Sequence, residues 1–208
     1  MVFGINNMSI TIRFFQSVYR RYCSYNNIRK LRRAQCTFLV KPNIYYRVYV
    51  QVSKSANIFF NGKCKLTSGY GINPLSRNLM ASIRVEDNAI INIGNNVAMS
   101  SPCIWIKSKL TIGNNVLIGA NVSIIDSDCH SLNYMDRRIG VTNHDALHTI
   151  KKPIIIEDDV LVGMNCIILK GVTIGARSII GAGSVVTTDI PSDVIAAGNP
   201  CKVIKSIK

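Results

Sequence analysis

A six-residue period runs through the C-terminal half of this chain. From Ile156 to Pro191 the sequence divides into six consecutive hexads, each of which opens on an aliphatic residue. The opening residues are Ile156, Val162, Ile168, Ile174, Ile180 and Val186, and the fifth places hold Val160, Cys166, Val172, Ser178, Ser184 and Ile190. Because helices repeat every 3.6 residues and strands every two, a step of six fits neither a lone helix nor a hairpin. It predicts a chain coiled as a triangular prism, with one short strand per side and the opening aliphatic residue pointing inward.

Two earlier segments carry the same signal. Residues 93–97 and 112–116 both read Ile-Gly-Asn-Asn-Val and begin 19 residues apart. That separation is one residue more than three hexads, so we expect an extra residue near Ser100–Trp105. Gly and Asn tolerate the left-handed backbone that a sharp corner requires. The prism is therefore predicted to include these segments, with Gly-Asn-Asn at its corners.

The repeat stops after Ile125 and resumes at Ile154–Ile156. The intervening residues 126–153 are polar, contain all three histidines and show no period. A long aperiodic segment that leaves a regular coil is typical of a functional loop. We therefore predict a loop that protrudes from the prism at residues 126–153.

Charge is distributed unevenly along the chain. The net charge is +14, and the fourteen basic residues that precede Glu86 are accompanied by no acidic residue. From Glu86 onward, eleven basic residues balance eleven acidic ones. Such a field attracts polyanions or an anionic lipid surface. No motif that reads nucleic acid accompanies this charge, so we expect no nucleic-acid partner.

The segment at residues 9–34 is predicted to be a basic helix. Ser9 is a residue type that caps helices, and Asn26-Asn27 is expected to divide the helix in two. One apolar stripe recurs at spacings of three to four residues: Ile12, Phe15, Tyr19 and Tyr22. Two positions for the helix stay open, namely an anionic membrane face or one end of the prism with the Arg heads in solvent.

These patterns divide the chain into three parts. They are a basic helical and extended segment at residues 1–54, the prism at residues 55–191, and a C-terminal tail at residues 192–208. Residues 36–60 are rich in β-branched and aromatic residues, which predicts strands that form the first irregular turns of the prism. Residues 68–80 are predicted to be a loop.

Several classes of protein are excluded by what the sequence does not contain. The seven cysteines include no CxxC pair, which argues against a disulfide framework and a zinc site. Cys166 falls on a hexad position that takes small residues, so we expect a buried thiol. No apolar run reaches the ~18 residues of a membrane span, and arginines interrupt any secretory signal. We expect a cytoplasmic protein without a metal cofactor.

His130 is the first candidate for chemistry, because it lies at the root of the predicted loop. A histidine titrates near neutral pH and can accept a proton from a hydroxyl group. A nearby carboxylate, Asp126 or Asp128, is expected to fix its tautomer and stabilise the charged ring. The alternative is a surface histidine in a polar loop.

Other reactive side chains in the loop are weaker candidates. His144 and His148 are four residues apart and would share a helix face, but no third metal ligand stands at a diagnostic spacing. Cys129 precedes His130 directly, and adjacent residues of an extended chain point to opposite sides. We therefore expect neither a metal site nor a Cys–His pair. Trp105 fits either a packed core position or the lining of a sugar site.

The chain resembles the hexapeptide-repeat acyltransferases. The resemblance covers about residues 90–205 and is carried by VLVGMNCIILKGVTIGARSIIGAGSVVTTDIPSDVIAAGNPCKVIK together with IGNNVLIGANVSIIDSDCH. It is nearest to sugar O-acetyltransferases of the maltose/galactoside kind, including those that modify bacterial polysaccharides. It implies an all-β fold, a left-handed parallel β-helix, to which the protruding loop, the basic N-terminal helix and the short tail are added.

The resemblance also implies roles for individual residues. His130 would be the general base that deprotonates an acceptor hydroxyl, which then attacks the thioester of acetyl-CoA directly. The backbone N–H of Met164 would polarise the thioester oxygen. The residues implied along the cofactor are Gly163, Ala182 and Thr187 at the pantetheine arm and Thr188, Lys202 and Lys205 near the nucleotide end.

Three departures from the family pattern concern the site. Leu161 stands where the family often has Trp, and Thr188 stands where Lys is common. The segment Ser100–Lys107 lacks the Asn and Asp that bind sugar in the galactoside enzymes. The sequence therefore does not name the acceptor.

The resemblance predicts an acetyl-CoA-dependent O-acetyltransferase that acts on a sugar hydroxyl in surface polysaccharide synthesis. It implies a homotrimer with each active site between two prisms, and the basic residues 9–34 suggest a peripheral position at the inner membrane face. One alternative is an N-acetyltransferase that acts on an amino-sugar nucleotide. Another is a β-helix that binds or scaffolds without catalysis.

Overall fold

Three parallel sheets, each receiving one short strand per turn of the chain, form the sides of a prism. The computed structural model describes residues 10–138 and 143–207. Sheet A contains β1 (Thr37–Phe38), β4 (Asn57–Phe60), β7 (Ile90–Ile93), β10 (Lys109–Ile112), β13 (Ile154–Ile156) and β16 (Thr173–Ile174). Sheet B contains β2 (Asn43–Tyr45), β5 (Cys64–Thr67), β8 (Val97–Ser100), β11 (Leu117–Ala120), β14 (Leu161–Val162), β17 (Ile179–Ile180), β19 (Val194–Ala197) and β20 (Lys202–Ser206). Sheet C contains β3 (Val48–Val52), β6 (Ala81–Val85), β9 (Cys103–Ile106), β12 (Ser123–Ile125), β15 (Ile167–Leu169) and β18 (Val185–Val186).

The chain visits sheets A, B and C in turn, so each coil has three corners. We name them by the sheets that they join: the AB, BC and CA corners. The strands are only two to five residues long, and every strand before β20 runs parallel to its neighbour in the next coil. Isolated strands of this length are not stable, so each coil depends on the coils above and below it.

The hexad positions form the core of the prism, as the sequence predicts. All six opening residues from Ile156 to Val186 are fully buried, and the six fifth-place residues are buried as well. Two of the fifth places are serines, Ser178 and Ser184, whose hydroxyl groups donate to the backbone carbonyls of Pro191 and Gly181. These bonds satisfy the polar atoms that the inward position buries.

Strand pairing continues across the predicted loop as if the loop were absent. β10 pairs with β13, so that Ile112 lies beside Ile156, and β13 pairs with β16, so that Ile156 lies beside Ile174. The loop itself leaves after β12 and carries two short helices, α2 (Tyr134–Arg138) and α3 (Asn143–Leu147). The register shift between β8 and β11 leaves Gly119 of β11 unmatched between the pairs Met99–Ile118 and Ser100–Ala120, so it does not place the predicted extra residue in Ser100–Trp105.

The corners use Asn and Gly for different reasons. Asn96 and Asn115 have φ of 59° and 57°, which confirms the left-handed backbone predicted there. Their side-chain amides stack along the AB corner, with Asn96 Nδ2 3.0 Å from Asn115 Oδ1. Gly94 and Gly113 do not have positive φ. Their requirement is space, because a Cβ at Gly94 would lie 2.5 Å from the carbonyl oxygen of Gly113 in the next coil.

The N-terminal helix closes one end of the core. α1 (Ile10–Arg33) is continuous, so the predicted break at Asn26-Asn27 is wrong. Asn27 is buried, and its amide donates to the carbonyl of Tyr46 and accepts from the N–H of Val48, which joins the helix to the first coil. Ser9, the predicted cap, lies outside the described residues.

The ends of the prism differ from the sequence-based division. The first strands, from Thr37, pair in register with the second coil, as the prediction of strands at residues 36–60 implies, so the prism begins ahead of the predicted boundary at residue 55. In the tail, β19 extends sheet B and β20 folds back antiparallel to it. Residues 68–80 form a loop, as predicted, and this loop contains a 3₁₀ turn at Pro74–Ser76.

All seven cysteines are free thiols, and Cys166 is fully buried in the core. Burial raises the pKa of Cys36 and Cys64 to about 12, so both thiols stay protonated and behave as small hydrophobic groups. Among residues 10–138 and 143–207, no helix combines the length and the hydrophobicity needed to cross a bilayer.

The packing of α1 predicts that the helix belongs to the cooperative folding unit. Leu31 is fully buried in the same cluster as the first-coil core. We expect Leu31→Ala to lower the free energy of unfolding by about 2–5 kcal/mol, because it leaves a cavity at the end of the prism. Urea denaturation measures this change. Leu39→Ala, at a position that is 77% exposed, is the matched control and should change stability by less than about 0.5 kcal/mol. Equal effects of the two substitutions would contradict the capping role.

Candidate active site

The protruding loop is fixed to the CA corner by a short antiparallel neck. The N–H of Asp128 donates to the carbonyl of Ile150 at 3.0 Å, and the N–H of Lys152 donates to the carbonyl of Asp126 at 2.9 Å. Ser127 and Lys151 pair between these two bonds. The residues that follow the neck therefore start from a fixed position on the prism.

Asp126 is part of this anchor and does not contact His130. Its buried carboxylate accepts the backbone N–H groups of Lys107, Ser108 and Lys109 at 2.7, 2.7 and 3.0 Å, all from the CA corner of the preceding coil. Burial raises the pKa of Asp126, and the three N–H donors oppose that rise. Asp126 thus holds two coils together at the point where the loop departs.

Asp128 is also engaged elsewhere. Its Oδ1 forms an ion pair with Lys170, which lies at the CA corner of the next coil. Its Oδ2 is buried and has no hydrogen-bond partner among the described residues. The expectation that Asp126 or Asp128 orients His130 is therefore wrong, because both carboxylates are committed to neighbouring coils.

The carboxylate that contacts His130 is Asp145, from α3. Its Oδ2 lies 2.6 Å from His130 Nδ1, and its Oδ1 accepts the backbone N–H of Ser131 at 2.6 Å. Asp145 is buried, whereas the His130 side chain is 52% exposed. The hydrogen bond from His130 is the main cause that lowers the pKa of Asp145, and the hydrogen bond from the N–H of Ser131 lowers it further. The carboxylate therefore stays ionised against the ring.

This geometry fixes the tautomer of the imidazole. A carboxylate accepts only, so Nδ1 carries a proton and Nε2 carries the lone pair. The Nδ1 edge faces the buried carboxylate, and about half of the side chain remains exposed. His130 is thus arranged to accept a proton at Nε2 from a bound hydroxyl or amine, with Asp145 to stabilise the cation that forms.

A second group of predicted site residues lies along the BC corner. Strand register aligns small residues in successive coils of sheet B on its outer face: Gly119, Gly163, Gly181 and Ala197. We call them the small-residue column. A Cβ at Gly163 would lie 2.5 Å from the backbone nitrogen of Ala182, and a Cβ at Gly119 would lie 2.7 Å from that of Met164. The column therefore brings these two backbone nitrogens close to the surface.

The other predicted site residues lie near either the root of the His130 loop or the small-residue column. Lys202 and Lys205 lie in β20 beside the lower end of the column, with Lys202 paired to Ala197. Thr187 and Thr188 follow β18 and are exposed at the CA corner, two coils beyond the root of the loop. Leu161, the departure from Trp, is 40% exposed beside the column.

A cavity of about 260 Å³ adjoins the upper end of the column. It lies between the loop at residues 68–80 and the outer face of sheet B, and Gly119 and Leu161 are among its lining residues. Polar groups from Lys65 and Ser100 also line it. Neither the cavity nor Gly119 was singled out by the sequence, although Gly119 occupies the same register as Gly163 one coil earlier.

The two groups occupy different corners of one prism. His130, Thr187 and Thr188 are at the CA corner, and Gly163 and Met164 are at the BC corner. Sheet C separates the corners by up to about 20 Å, the length of six extended residues. The two groups therefore do not lie along the same edge of the chain.

The other loop candidates do not assemble into a site. Cys129 has φ of 64°, in the left-handed region, and its side chain is half-buried. Within residues 10–138 and 143–207, no three His, Cys, Asp or Glu side chains are grouped to hold a metal ion. The side chain of His144 lies outside the described part of the chain. Trp105 is half-buried on the outer face of sheet C, where its Nε1 donates to Glu86 at 2.9 Å.

Comparison with protein families agrees with this architecture. A profile described as the hexapeptide repeat of succinyl-transferase matches residues 109–127 and 153–188, which flank the protruding loop. Together with the three parallel sheets, this match shows that the matched repeats wind as a left-handed parallel β-helix.

Curated relatives include acetyltransferases of two kinds. Galactoside O-acetyltransferase of Escherichia coli (strain K12) is 43% identical over 105 residues, which cover 47% of this chain and 44% of the relative. A 2,3,4,5-tetrahydropyridine-2,6-dicarboxylate N-acetyltransferase of Clostridium perfringens is 58% identical over 57 residues, covering 27% and 24%. The chain thus spans less than half the length of these relatives. The resemblance to hexapeptide-repeat acetyltransferases is confirmed.

Two solved structures share the fold over most of the chain. A galactoside acetyltransferase in complex with coenzyme A aligns with a TM-score of 0.53 and 24% identity, over 97% of this chain and 85% of that one. An N-acyltransferase from Bacillus cereus in complex with dTDP and 3-hydroxybutyryl-CoA aligns with a TM-score of 0.60 and 12% identity, over 86% and 88%. At these identities the alignments show the fold.

The His130–Asp145 pair predicts a stability difference that depends on pH. The folded pKa of Asp145 lies below the unfolded value of about 3.9. The stabilisation is therefore complete above the unfolded value and is lost as pH falls through the folded value. We expect wild type to exceed Asp145→Asn in unfolding free energy at pH 5, with the difference shrinking toward pH 2.

Unfolding of both proteins by urea across this range measures the effect. His130→Gln in both backgrounds completes a double-mutant cycle that isolates the pair from other consequences of the substitution. A difference that stays constant from pH 5 to pH 2 would show that the carboxylate does not act through its charge.

Proposed function

We propose that this protein is an acetyltransferase that moves an acetyl group from acetyl-CoA to a sugar hydroxyl, with His130 as the general base. The observation that carries the proposal is the His130–Asp145 pair, which is held at the root of a loop that leaves a hexapeptide-repeat β-helix. The relatives whose repeats match this chain are acetyltransferases, and one structural neighbour was solved with coenzyme A.

The proposed reaction has one tetrahedral intermediate and no acyl-enzyme. Nε2 of His130 takes the proton of the acceptor hydroxyl while the acceptor oxygen attacks the thioester carbonyl. The C–S bond then breaks, and the thiolate of CoA leaves and takes the proton from Nε2. Asp145 stabilises the imidazolium between these steps. The N–H of Met164 would donate to the oxyanion, a contribution that reaches about 3–4 kcal/mol in other acyl-transfer enzymes.

The surface beside the small-residue column fits an extended thioester cofactor. Because glycine leaves this surface uncovered, a pantetheine arm that lies along the BC corner would contact backbone groups near Gly163 and Ala182. Lys202 and Lys205 lie beside the far end of the column and would face the phosphates. Thr187 and Thr188 would reach the same arm from the CA corner of another copy.

Because the two groups lie on different corners, the proposed site requires two copies of the chain. A three-fold arrangement can join the CA corner of each copy to the BC corner of the next, with sheet C facing the axis. The lower part of the outer face of sheet C is apolar, as a face in such an interface would be: Ile125, Ile167, Leu169 and Val185. We therefore propose a homotrimer.

The acceptor class rests on the resemblance to sugar O-acetyltransferases, and we propose a polysaccharide or a polysaccharide precursor. An N-acetyltransferase that acts on an amino-sugar nucleotide is the second candidate, favoured by the structural neighbour solved with dTDP. A neutral amine needs less help from a base than a hydroxyl does. Transfer to an amine that is unaffected by loss of His130 would therefore select the second candidate.

We propose that the protein works in the cytoplasm at the inner face of the membrane. Free thiols at all seven cysteines are typical of a reducing compartment. The excess of positive charge in the N-terminal 85 residues supports a position near anionic lipid.

The mechanism predicts that His130→Ala lowers kcat for hydroxyl acetylation by about 10²–10⁴-fold while the Kd for CoA stays unchanged. Release of free CoA, followed with a thiol reagent, measures turnover, and calorimetry measures CoA binding. His148→Ala removes an exposed histidine from the same loop and is the matched control. Near-normal turnover by His130→Ala would exclude the proposed base, and loss of CoA binding would point to a structural effect.

The assembly predicts different outcomes at two similar positions. Ile167 on sheet C and Ile155 on sheet A are 38% and 40% exposed in the single chain. We expect Ile167→Glu to yield monomers without acetyl transfer, because a charge cannot be buried in the interface without a partner. Ile155→Glu should remain trimeric and active. Light scattering on a sizing column measures the mass, and an active Ile167→Glu monomer would contradict a shared site.

A further inference from the structure

Helix α1 has two faces of opposite character. The face toward the prism is buried at four-residue steps, Cys23, Asn27 and Leu31, and it packs on β2 and β3. Steps of four residues keep one side of a helix in contact with the same surface. The prism therefore fixes which side of α1 points away from the protein.

The outward side is aromatic in its first half and basic in its second. Large apolar side chains on this side have exposed fractions of 47% to 67%: Phe14, Phe15, Val18, Tyr22 and Tyr25. The same side continues with exposed Arg29, Arg32 and Arg33. We call these eight residues the outward face. Their spacing keeps them on one stripe of the helix, opposite Cys23 and Leu31.

This arrangement differs from an ordinary packed helix. The sequence marks Phe15, Tyr19 and Tyr22 as the apolar stripe, but none of the three is buried against the prism. Single exposed hydrophobic residues are normal, whereas a contiguous group of five marks a surface that contacts something apolar. The absence of acidic residues before Glu86 makes the surroundings of the group strongly positive.

We propose that the outward face of α1 binds the surface of an anionic lipid bilayer. The outward face carries both aromatic side chains and arginines. When a helix lies in the plane of the membrane interface, its aromatic side chains contact the acyl chains and its arginines contact the charged headgroups. The inference deepens the proposed localisation by naming the contacting face and its ligand. It does not depend on the identity of the acceptor.

The position of α1 relates the bilayer to the proposed active site. The helix closes the first coil, and the loop with His130 leaves after β12, three strands from β3 in sheet C. Three strand spacings are about 14 Å. A bilayer at the outward face would hold the catalytic edge a short distance above the headgroups, where an acceptor attached to lipid could reach it. Three parallel copies would present three such faces at once.

The aromatic half of the proposal is tested with the full chain and vesicles of phosphatidylcholine with or without phosphatidylglycerol. Wild type should float with the anionic vesicles and not with the neutral ones. Phe14→Ser, Phe15→Ser, Tyr22→Ser and Tyr25→Ser combined should weaken binding at least tenfold. Tyr49→Ser, Tyr70→Ser and Tyr134→Ser combined, at positions 46% to 67% exposed, are the control and should bind like wild type.

The basic half of the proposal is tested with two triple variants, each of which removes three positive charges. Arg29→Gln, Arg32→Gln and Arg33→Gln combined should weaken binding by about 100-fold and reduce its salt dependence. Lys54→Gln, Lys63→Gln and Arg77→Gln combined remove the same charge from exposed positions elsewhere and should have a much smaller effect. If both triple variants lose the same affinity, net charge alone governs binding and the named face is wrong.

Three further results would overturn the proposal. They are no vesicle binding by wild type, equal binding to neutral vesicles, and a serine variant that changes the oligomeric mass, which would make the outward face an interface between copies. Acetyl transfer to a water-soluble acceptor is measured on all variants. Unchanged transfer with lost vesicle binding supports the inference, and unchanged transfer with unchanged vesicle binding refutes it while leaving the proposed function intact.

Discussion

The inward stack of aliphatic side chains is the interaction on which the rest of the structure depends. Each coil contributes two buried residues per side, such as Leu110 and Ile112 or Ile154 and Ile156 in sheet A, and each lies directly on its counterpart in the next coil. The strands in the described part of the chain are at most five residues long and would not be stable alone, so the free energy of folding comes from the contacts between coils. This explains how a long loop can enter between β12 and β13 without disturbing the register.

One carboxylate anchors that loop, and a different carboxylate orients the proposed base. Asp126 is buried and satisfies three N–H groups at a corner, so it fixes where the loop begins. Asp145 returns from α3 to hold the ring of His130, so it fixes how the base is presented. A carboxylate that already accepts three backbone bonds has little capacity left for an imidazole, which is why one residue cannot serve both purposes.

The features that can be predicted from the sequence are mainly those that follow from its six-residue period. The hexads identify the buried residues and the protruding loop, and Asn115 is predicted at a left-handed corner. Asp145 is not predictable, because its approach to His130 depends on how an aperiodic loop folds. The side of α1 that packs against the prism is not predicted, for a related reason. Apolar spacing in the sequence shows that the helix has an apolar stripe, but only the packing of Leu31 in the structure shows which side contacts the prism. The handedness of the coil came from the family resemblance, since composition contains no signal for it.

The division between repeat and loop also separates the two halves of the proposed chemistry. A Cβ at Gly163 would collide with the next coil, so glycine is required there by the spacing of the coils themselves. The same requirement leaves backbone groups uncovered at the place proposed for the cofactor, and the fold therefore supplies that surface wherever the repeat is kept. The base and its carboxylate belong to the loop, which the repeat does not constrain. Under the proposed function, acceptor preference can change through the loop while the surface beside the small-residue column stays the same, as expected of a fold whose relatives include both O- and N-acetyltransferases.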